Sequence, residues 1–589
     1  MEKYEQYHHP PPDPPRTTLA WNMYGPGLEN IGRQGAPETV PVPDPGPDQL
    51  LVRIDSVGMC FSDVKIIRQG GSHPKLYNRD LQADPTRLGH EVALTVVIVG
   101  ENLQEQYAPG QRFAVQPDIY QQGRSAAYGY TVPGGLIQYH LIGPEVLDTD
   151  EGACLLPLDG DPGFAEASLL EPWGCVIAAY TQRRRLWPKA DGVMWIIGRP
   201  GDDTEYTIST DPGRVLQATQ TIVVSDVLAA LRRLVEASGA TIVERNDVRP
   251  DDYPALVEQL TGGRGFDDIV VLDPRRAEHI GAIARHVARR GTLNLVGRTP
   301  LDGLVDTDVG RLHYDYIALL GNRGPDIAAS YGEARNRCEL RPGGLAVVIG
   351  AGGPMGQMHV QRAIELPDGP RAVVATEIND ERLETLRQGF APLAEQHSVA
   401  LHVVNPTAPG NSLSDLVMSL TGNQGADDVV VCVPNATLMA EAAAMMRPDG
   451  MLVLFAGVPN GTLAPLNLSH VYLHNAQYTG TSGLTLEDQR QVMERASAGS
   501  LSPERVVAAI GGMNAALDGL QALIDGQYPG KIVIFPQIPD LPLTGLDELA
   551  QMMPDVAREL GPGNTWTQEA EAALFERMWR ENGEGTDVQ

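Results

Sequence analysis

The stretch Leu256-Val-Glu-Gln-Leu-Thr-Gly-Gly-Arg-Gly-Phe-Asp-Asp-Ile-Val-Val returns, without a gap, as Leu416-Val-Met-Ser-Leu-Thr-Gly-Asn-Gln-Gly-Ala-Asp-Asp-Val-Val-Val. Each copy runs on to a similar exit, Leu295-Val296-Gly297 and Phe455-Ala456-Gly457. The repeating unit is therefore a whole domain. Around each copy, β-type runs alternate with helical ones, the grammar of a parallel sheet with crossover helices. In the first copy the expected strands are 193–198, 221–225, 268–272 and 292–296, with helices over 227–238 and 277–289. In the second they are 346–350, 372–376, 428–432 and 451–455, with helices over 357–365, 381–386 and 437–446.

Outward from the repeat, six segments are expected. Residues 1–17 are a proline-rich leader, with His9-Pro-Pro-Pro-Asp-Pro-Pro predicting extended chain rather than helix. Residues 18–190 hold short β-runs (50–57, 91–99, 112–116, 135–142) cut by Gly and Pro, then a helix over 165–180. That spacing predicts a small β-rich, barrel-like domain. Arg183-Arg184-Arg185 reads as a solvated helix end. Residues 191–340 and 341–480 are the two copies. Residues 481–538 add a closing helix and the strand of Gly530-Lys-Ile-Val-Ile-Phe-Pro, and 539–589 form a C-terminal helical tail. In the tail, Thr565 with Gln568 predicts a capping box, and Ala570, Ala573, Leu574 and Met578 a packing face. The expected fold class is α/β: a β-rich domain plus two tandem, doubly wound Rossmann-type domains, the first degenerate.

Composition excludes other classes. The chain of 589 residues has 45 Lys and Arg against 75 Asp and Glu, a formal charge of −30. Such an acidic surface argues against nucleic-acid and anionic-membrane partners. No apolar run reaches the ~18 residues of a membrane span, and the first residues lack a signal-peptide core, so a cytoplasmic protein is expected. Five cysteines (Cys60, Cys154, Cys175, Cys338, Cys432) are too scattered for a disulfide framework.

Two constellations carry chemistry. The first is Cys60-Phe61-Ser62-Asp63, Gly89-His90-Glu91 and Glu171-Pro172. Zinc accepts thiolate, imidazole and carboxylate together, and a catalytic site uses three such ligands with one position open. A buried cysteine and a satisfied core histidine are the alternative reading of each residue taken singly. The second is Val347-Val-Ile-Gly-Ala-Gly-Gly-Pro-Met-Gly356. Gly350, Gly352, Gly353 and Gly356 sit between a β-run and a helix, where backbone N–H groups approach a pyrophosphate, with Met355 where the third glycine is usual. Glu377, closing the next strand, suits ribose hydroxyls and favours NAD over NADP; Arg382 keeps NADP open, and a solvated strand end is the other reading of Glu377. The corresponding turn of the first copy, Gly198-Arg-Pro-Gly-Asp-Asp203, sets two aspartates where a pyrophosphate would lie, so no dinucleotide is expected there.

The order Cys-x-Ser-Asp, Gly-His-Glu, Glu-Pro, nucleotide fold, Gly-Lys-Ile-Val resembles the zinc-containing medium-chain dehydrogenases, over roughly residues 20–190 and 341–536. The branch it looks most like is that of the polyol dehydrogenases and sorbose-phosphate reductases. The resemblance implies a GroES-like catalytic domain, and one zinc held by Cys60, His90 and Glu171, with Glu91 as the alternative or supporting carboxylate. It implies that Asp63 orients a ligand histidine and that Ser62 handles the outgoing proton. Many relatives carry a histidine where this chain has Lys65, which relays protons only if burial or a neighbouring cation depresses its pKa. No cysteine lies between Cys60 and Cys154, so no structural zinc is expected. Relatives also pair two coenzyme domains across a dimer interface. Here the degenerate copy is expected to take the partner's place, giving a monomer by internal pseudo-dimer, with a homodimer as the alternative.

The implied function is hydride transfer between a nicotinamide cofactor and a secondary alcohol or ketone, a polyol or sugar phosphate, with Arg68, His73, Lys75 and Arg79 as candidate phosphate contacts. The rivals are a threonine-type amino-alcohol dehydrogenase and a non-catalytic dinucleotide sensor or scaffold.

Overall fold

The computed structural model describes residues 2–11, 13–181, 185–208, 216, 219–481 and 483–580. The chain divides into two compact units, one of residues 1–177, 353–358 and 483–589, the other of 178–352 and 359–482.

The first unit is built on a mainly antiparallel sheet. Its strands run in the order Leu155–Pro157, Arg112–Val115, Glu91–Val99, Leu50–Gly58, Lys531–Phe535, Val507–Gly512, Thr544–Gly545, with Tyr139–Ile142 also pairing to Leu50–Gly58. Leu50–Gly58 is buried along its whole length, so its polar members must find partners inside. Asp55 takes Arg53 Nε at 2.7 Å, Thr95 Oγ1 at 2.6 Å and the Tyr7 hydroxyl at 2.8 Å. The closing segment thus returns to the β-domain: Met59 donates its backbone N–H to Ile532 at 2.9 Å. The strand expected over 135–142 forms only at Tyr139–Ile142. Gly134, Gly135 and Leu136 instead donate to the carbonyls of Arg87, Gly89 and Leu88, as an irregular lining of the Gly-His-Glu turn.

The leader is not wholly extended. Glu2–His8 is a helix, ending before the first proline at Pro10, and its Tyr4 and Tyr7 are buried. Their rings pack on Phe164 and Phe575. The tail helix spans Gln568–Met578, and its cap is Thr567, accepting from Ala570 N–H, rather than a Thr565 box. Thr565 donates its hydroxyl to the Pro562 carbonyl, and Phe575 joins the packing face.

The second unit holds both copies except residues 353–358 of the second, which group with the first unit. Each is a six-stranded parallel sheet of the same order: Thr241–Glu244, Thr221–Ser225, Val193–Ile197, Phe266–Leu272, Val287–Val296, Ala318–Asn322, and Ala400–Val404, Ala372–Thr376, Leu345–Ile349, Ala426–Val431, Met446–Leu454, Gln477–Thr479. The helix expected over 277–289 stops at Ala284, because the strand Val287–Val296 has already begun. The repeated Asp-Asp pair explains why the motif survives in both. The first aspartate accepts the N–H that opens the central strand, Asp267 from Val193 at 2.9 Å and Asp427 from Leu345 at 2.8 Å. The second pins an arginine, Asp268 with Arg185 and Asp428 with Arg337. Arg185 is therefore a structural clamp, not a solvated helix end; Arg183 and Arg184 lie outside the described residues.

The two copies share a hydrophobic core running from Val193 and Trp195 through Leu295 to Val347, Leu452 and Tyr478, and the first copy has a further cluster around Met194, Ile196 and Val224. Val305–Asp308 of the first copy pairs antiparallel with Leu463–Leu466 of the second, Val305 facing Leu466. Ser469 Oγ accepts the N–H of Leu301 at 2.9 Å, and the Tyr472 hydroxyl donates to the Thr299 carbonyl at 2.6 Å.

Candidate functional site

In the first unit, the end of the strand Leu50–Gly58 lies beside the start of Glu91–Val99, with Gly58 opposite Glu91 in register. A Cβ at Gly58 would stand 2.2 Å from Glu91 Oε2, so only glycine leaves room for the carboxylate. The chain then turns through Cys60 into the helix Phe61–Gln69. Asp63, in its first turn, ties the pieces together: Oδ2 accepts the Cys60 N–H at 3.1 Å, and Oδ1 accepts the Gly89 N–H at 3.3 Å and lies 3.4 Å from His90 Nδ1.

These constraints bring one donor atom each of Cys60, His90 and Glu91 within 4.8 Å of one another. Glu91 Oε2 is buried with no hydrogen-bond partner among the described residues, while Oε1 accepts from Lys531 Nζ, itself 3% exposed. Lys531 also donates to the Met59 carbonyl at 3.1 Å. The pocket is anion-rich. Burial opposes charge on His90, but the Asp63 carboxylate and the Cys60 sulfur outweigh it and raise the ring well above its ordinary value. Burial likewise opposes charge on Lys531, and Glu91 and Cys60 outweigh it. An orphaned carboxylate oxygen, a thiol and an imidazole in such a pocket fit a divalent cation with mixed S, N and O preference.

Glu171 stands apart from the three-donor group. It lies on the buried helix Phe164–Tyr180, with Cys175 Sγ 3.9 Å from its Oε1. Burial pushes its carboxyl up to about 7, with His90 pulling it down and Glu91 pushing it up, so it shares the field of the site. Ser62 is half-buried in the first helical turn, and Lys65 is exposed on the same helix.

A second group, missed as a constellation by the sequence, adjoins His90. The Tyr130 ring lies 5.8 Å from that of His90 and 5.4 Å from that of His73, with Lys75 Nζ 5.0 Å above it. Lys75 pairs with Asp118 at 2.9 Å. His73 Nδ1 accepts the Lys75 backbone N–H at 3.2 Å, so the neutral ring carries its proton on Nε2. Burial, then the cations of Lys75 and Lys65, push His73 down to about 4. Of the other phosphate candidates, Arg79 is consumed by the Asp84, Pro85 and Thr131 carbonyls and the Asp84 carboxylate, and Arg68 is exposed. His73 and Lys75, neighbours in the sequence, are two of the candidate phosphate contacts, and Asp118 and Tyr130 join them from distant segments.

In the second unit, Gly350 has φ +80°, and a Cβ there would meet Val433 Cγ2 at 2.5 Å. Gly350 and Ala351 donate to the Thr376 carbonyl at 3.1 and 2.8 Å. Gly352 admits the Glu377 carboxylate, whose Oε2 is 2.3 Å from where a Cβ would be. Glu377 Oε1 accepts the N–H groups of Ile378 and Asn379, and Ile378 is 67% exposed beside it. Space at Gly353 is open, and the helix Pro354–Glu365, containing Met355 and Gly356, begins on a proline that has no N–H to satisfy. Arg382 sits in the first turn of Asp380–Gln396, its N–H capped by Asn379. The first copy differs. Arg199 enters its turn and pairs with Asp273, which also holds Arg275, while Asp202 accepts from Thr204 and the Tyr206 hydroxyl.

A thiol–imidazole–carboxylate pocket on a β-domain, joined to Rossmann sheets, defines a dehydrogenase class. Residues 46–147 match the alcohol dehydrogenase GroES-like domain and 354–498 the zinc-binding dehydrogenase domain. Both domain types of the zinc-containing alcohol dehydrogenase superfamily are thus present in the chain, and with the relatives that follow they support an alcohol dehydrogenase-type oxidoreductase. It is 25% identical over 573 residues to the L-sorbose 1-phosphate reductase of Klebsiella pneumoniae, covering 95% of this chain and 98% of that protein. It is 24% identical over 550 residues to the mannitol-1-phosphate 5-dehydrogenase of Aliivibrio fischeri, covering 91% and 94%. The sorbitol dehydrogenase of Gallus gallus matches at 26% over 284 residues, 45% of this chain and 72% of its own. Among the described residues, no helix is long and apolar enough to cross a membrane.

Proposed function

We propose that the chain interconverts a secondary alcohol and a ketone on a polyol or sugar phosphate, using one zinc ion and a nicotinamide coenzyme, NAD in preference to NADP. The observation that carries this reading is the convergence of half-buried Cys60 with buried His90 and Glu91, together with the Glu91 oxygen that has no partner among the described residues. A zinc ion held there supplies Lewis-acid polarisation of the substrate oxygen. The chain's own groups do the rest. Cys60, the His90 nitrogen turned away from Asp63, and Glu91 Oε2 are the ligands, and Glu171 is the carboxylate that reaches the site through water. Asp63 fixes both Cys60 and His90, and Lys531 balances Glu91. Ser62 takes the proton leaving the substrate oxygen toward solvent.

The substrate class rests on His73, Lys75 and Lys65. A neutral His73 Nε2–H with two lysines nearby suits a phosphate and disfavours an ammonium, which sets the threonine-type reading second. The two relatives that cover nearly the whole chain both act, by name, on sugar or polyol phosphates. For the coenzyme, Glu377 meets the ribose hydroxyls and repels a 2′-phosphate, Ile378 offers an apolar wall to the adenine, and the backbone from Gly350 to Gly356 leaves room for the pyrophosphate.

Metal analysis of the purified chain, with nicotinamide absorbance followed across polyols, their phosphates and threonine, tests this. The expected result is one zinc per chain, preference for a phosphate, and loss of turnover on chelation with NAD binding kept. Turnover undiminished after complete chelation overturns it; NAD binding without stoichiometric metal supports the sensor reading instead.

A further inference from the structure

In the first unit a cavity of about 610 Å³ opens between the leader helix, the tail helix and the β-domain. That volume is in the range of small-molecule sites. Its wall includes Tyr7, His9, Arg53, Gln537, Arg577 and Arg580, and its one carboxylate is Asp540. Three arginines against one aspartate is a local inversion of sign in a chain of charge −30. Asp540 is already engaged, accepting from Asn514 at 3.2 Å.

Arg53 is the built part of the wall. It is 2% exposed, its Nε donates to Asp55 at 2.7 Å, its Nη2 faces Thr95 at 3.4 Å, and its guanidinium lies 3.7 Å over the Tyr7 ring. Nη1 has no partner among the described residues, and it belongs to a side chain that lines the cavity. A guanidinium clamped on three sides loses little entropy when its free edge meets an oxyanion. At the rim, Arg577 is shared with Asp555 at 2.9 Å, and Arg580 has no carboxylate partner among the described residues.

We propose that this cavity is a second ligand site, taking a small polar molecule that carries a phosphate or carboxylate group, distinct from the substrate position beside His90. Arg53 meets the oxyanion at the back, Arg580 and Arg577 at the mouth, and the Gln537 amide a hydroxyl or second oxygen.

Calorimetric titration of the full-length protein with inorganic phosphate and, separately, with citrate tests it. Binding of one equivalent of either is expected, and which of the two binds identifies the oxyanion. Arg580→Glu, at an exposed residue, should weaken that binding about tenfold or more, and Arg53→Lys should weaken it by removing the fork. Lys75→Ala should leave it unchanged, and Arg580→Glu should leave alcohol turnover unchanged. No heat from either ligand, equal affinity in Arg580→Glu, or loss of binding in Lys75→Ala overturns the proposal.

Discussion

Tyr4 and Glu571 lie 567 positions apart in the chain and share a hydrogen bond of 2.9 Å. The same carboxylate accepts the backbone N–H groups of Phe164 at 2.6 Å and Ala165 at 2.8 Å. It therefore caps the helix that carries Glu171, a role that helix starts usually give to a nearby Ser, Thr, Asp or Asn. The leader and the tail are thus part of the β-domain's structure. Removing Glu571 with Glu571→Ala leaves two buried backbone N–H groups unpaired, takes an acceptor from the Tyr4 hydroxyl, and should cost about 2–4 kcal/mol. Tyr4→Phe removes one bond and should cost about 1 kcal/mol. Urea unfolding midpoints check the order; equal values for Glu571→Ala and the parent would refute the capping role.

Gly58→Ala is the most selective probe of the metal pocket. The added methyl would stand 2.2 Å from Glu91 Oε2 and must push that oxygen aside, while the strand itself tolerates alanine. Zinc affinity should fall by roughly tenfold to a hundredfold, as for disturbed supporting groups at metal sites. Competition with a chromogenic chelator measures it. The far-ultraviolet spectrum should remain that of the parent.

Lys531→Met strands the Glu91 carboxylate in a buried position. Breaking one side of such a pair costs about 3–5 kcal/mol. Because zinc would supply the missing positive charge, the loss should be largest in the metal-free protein and partly restored by zinc. The double variant Lys531→Met with Glu91→Gln should be less destabilised than Lys531→Met alone. Thermal midpoints with and without zinc decide the matter.

The parts of this picture that the sequence announces are those carried by neighbours in the chain. The Asp-Asp repeat was legible because the pair does the same work in both copies, the first aspartate accepting an opening N–H and the second holding an arginine. Cys60, Asp63, His90 and Glu91 were legible as short motifs, because helix start and strand register fix their directions locally. What stayed hidden depends on distant contacts. The leader helix exists because Tyr4 and Tyr7 find Phe164 and Phe575, and nothing within its seven residues reveals that. The split between Glu91 and Glu171 was illegible for the same reason: Gly58 makes the space that admits Glu91, and only the pairing of two strands shows it.

His359 gives a pH signature to the second unit. It is fully buried, its Nδ1 lies 2.8 Å from the Tyr180 hydroxyl, and the Phe455 ring meets it edge-on at 4.5 Å. Burial, then the Arg362 cation, pushes the ring down to about 3. Arg362 is itself paired with Glu339. The unfolded ring binds its proton near its ordinary value of about 6.5, so between that pH and about 3 the unfolded state binds more protons and stability falls as pH falls. The full loss is about 5 kcal/mol across that window, with no contribution above it. His359→Gln should flatten this part of the stability profile. A profile equally steep in the variant would show that other groups set it.

The final prediction concerns how many copies and coenzymes the functional particle holds. The second unit joins two Rossmann sheets through the ladder Val305–Asp308 with Leu463–Leu466 and through a common core, the contact expected of an internal pseudo-dimer. Only the second copy keeps the glycine cradle with Glu377 across from Gly352; in the first, Arg199 and Asp273 fill the corresponding turn with their own ion pair. A monomer binding one equivalent of NAD is therefore expected, measured by light scattering and equilibrium titration. Glu377→Gln should weaken NAD and reduce the discrimination against NADP by about 1–2 kcal/mol, since the carboxylate that repels a 2′-phosphate is gone. Because the copies share one core, replacing Val305 with aspartate should unfold both together in a single transition. Two separated transitions, or two equal NAD sites, would mean that the copies act as independent domains.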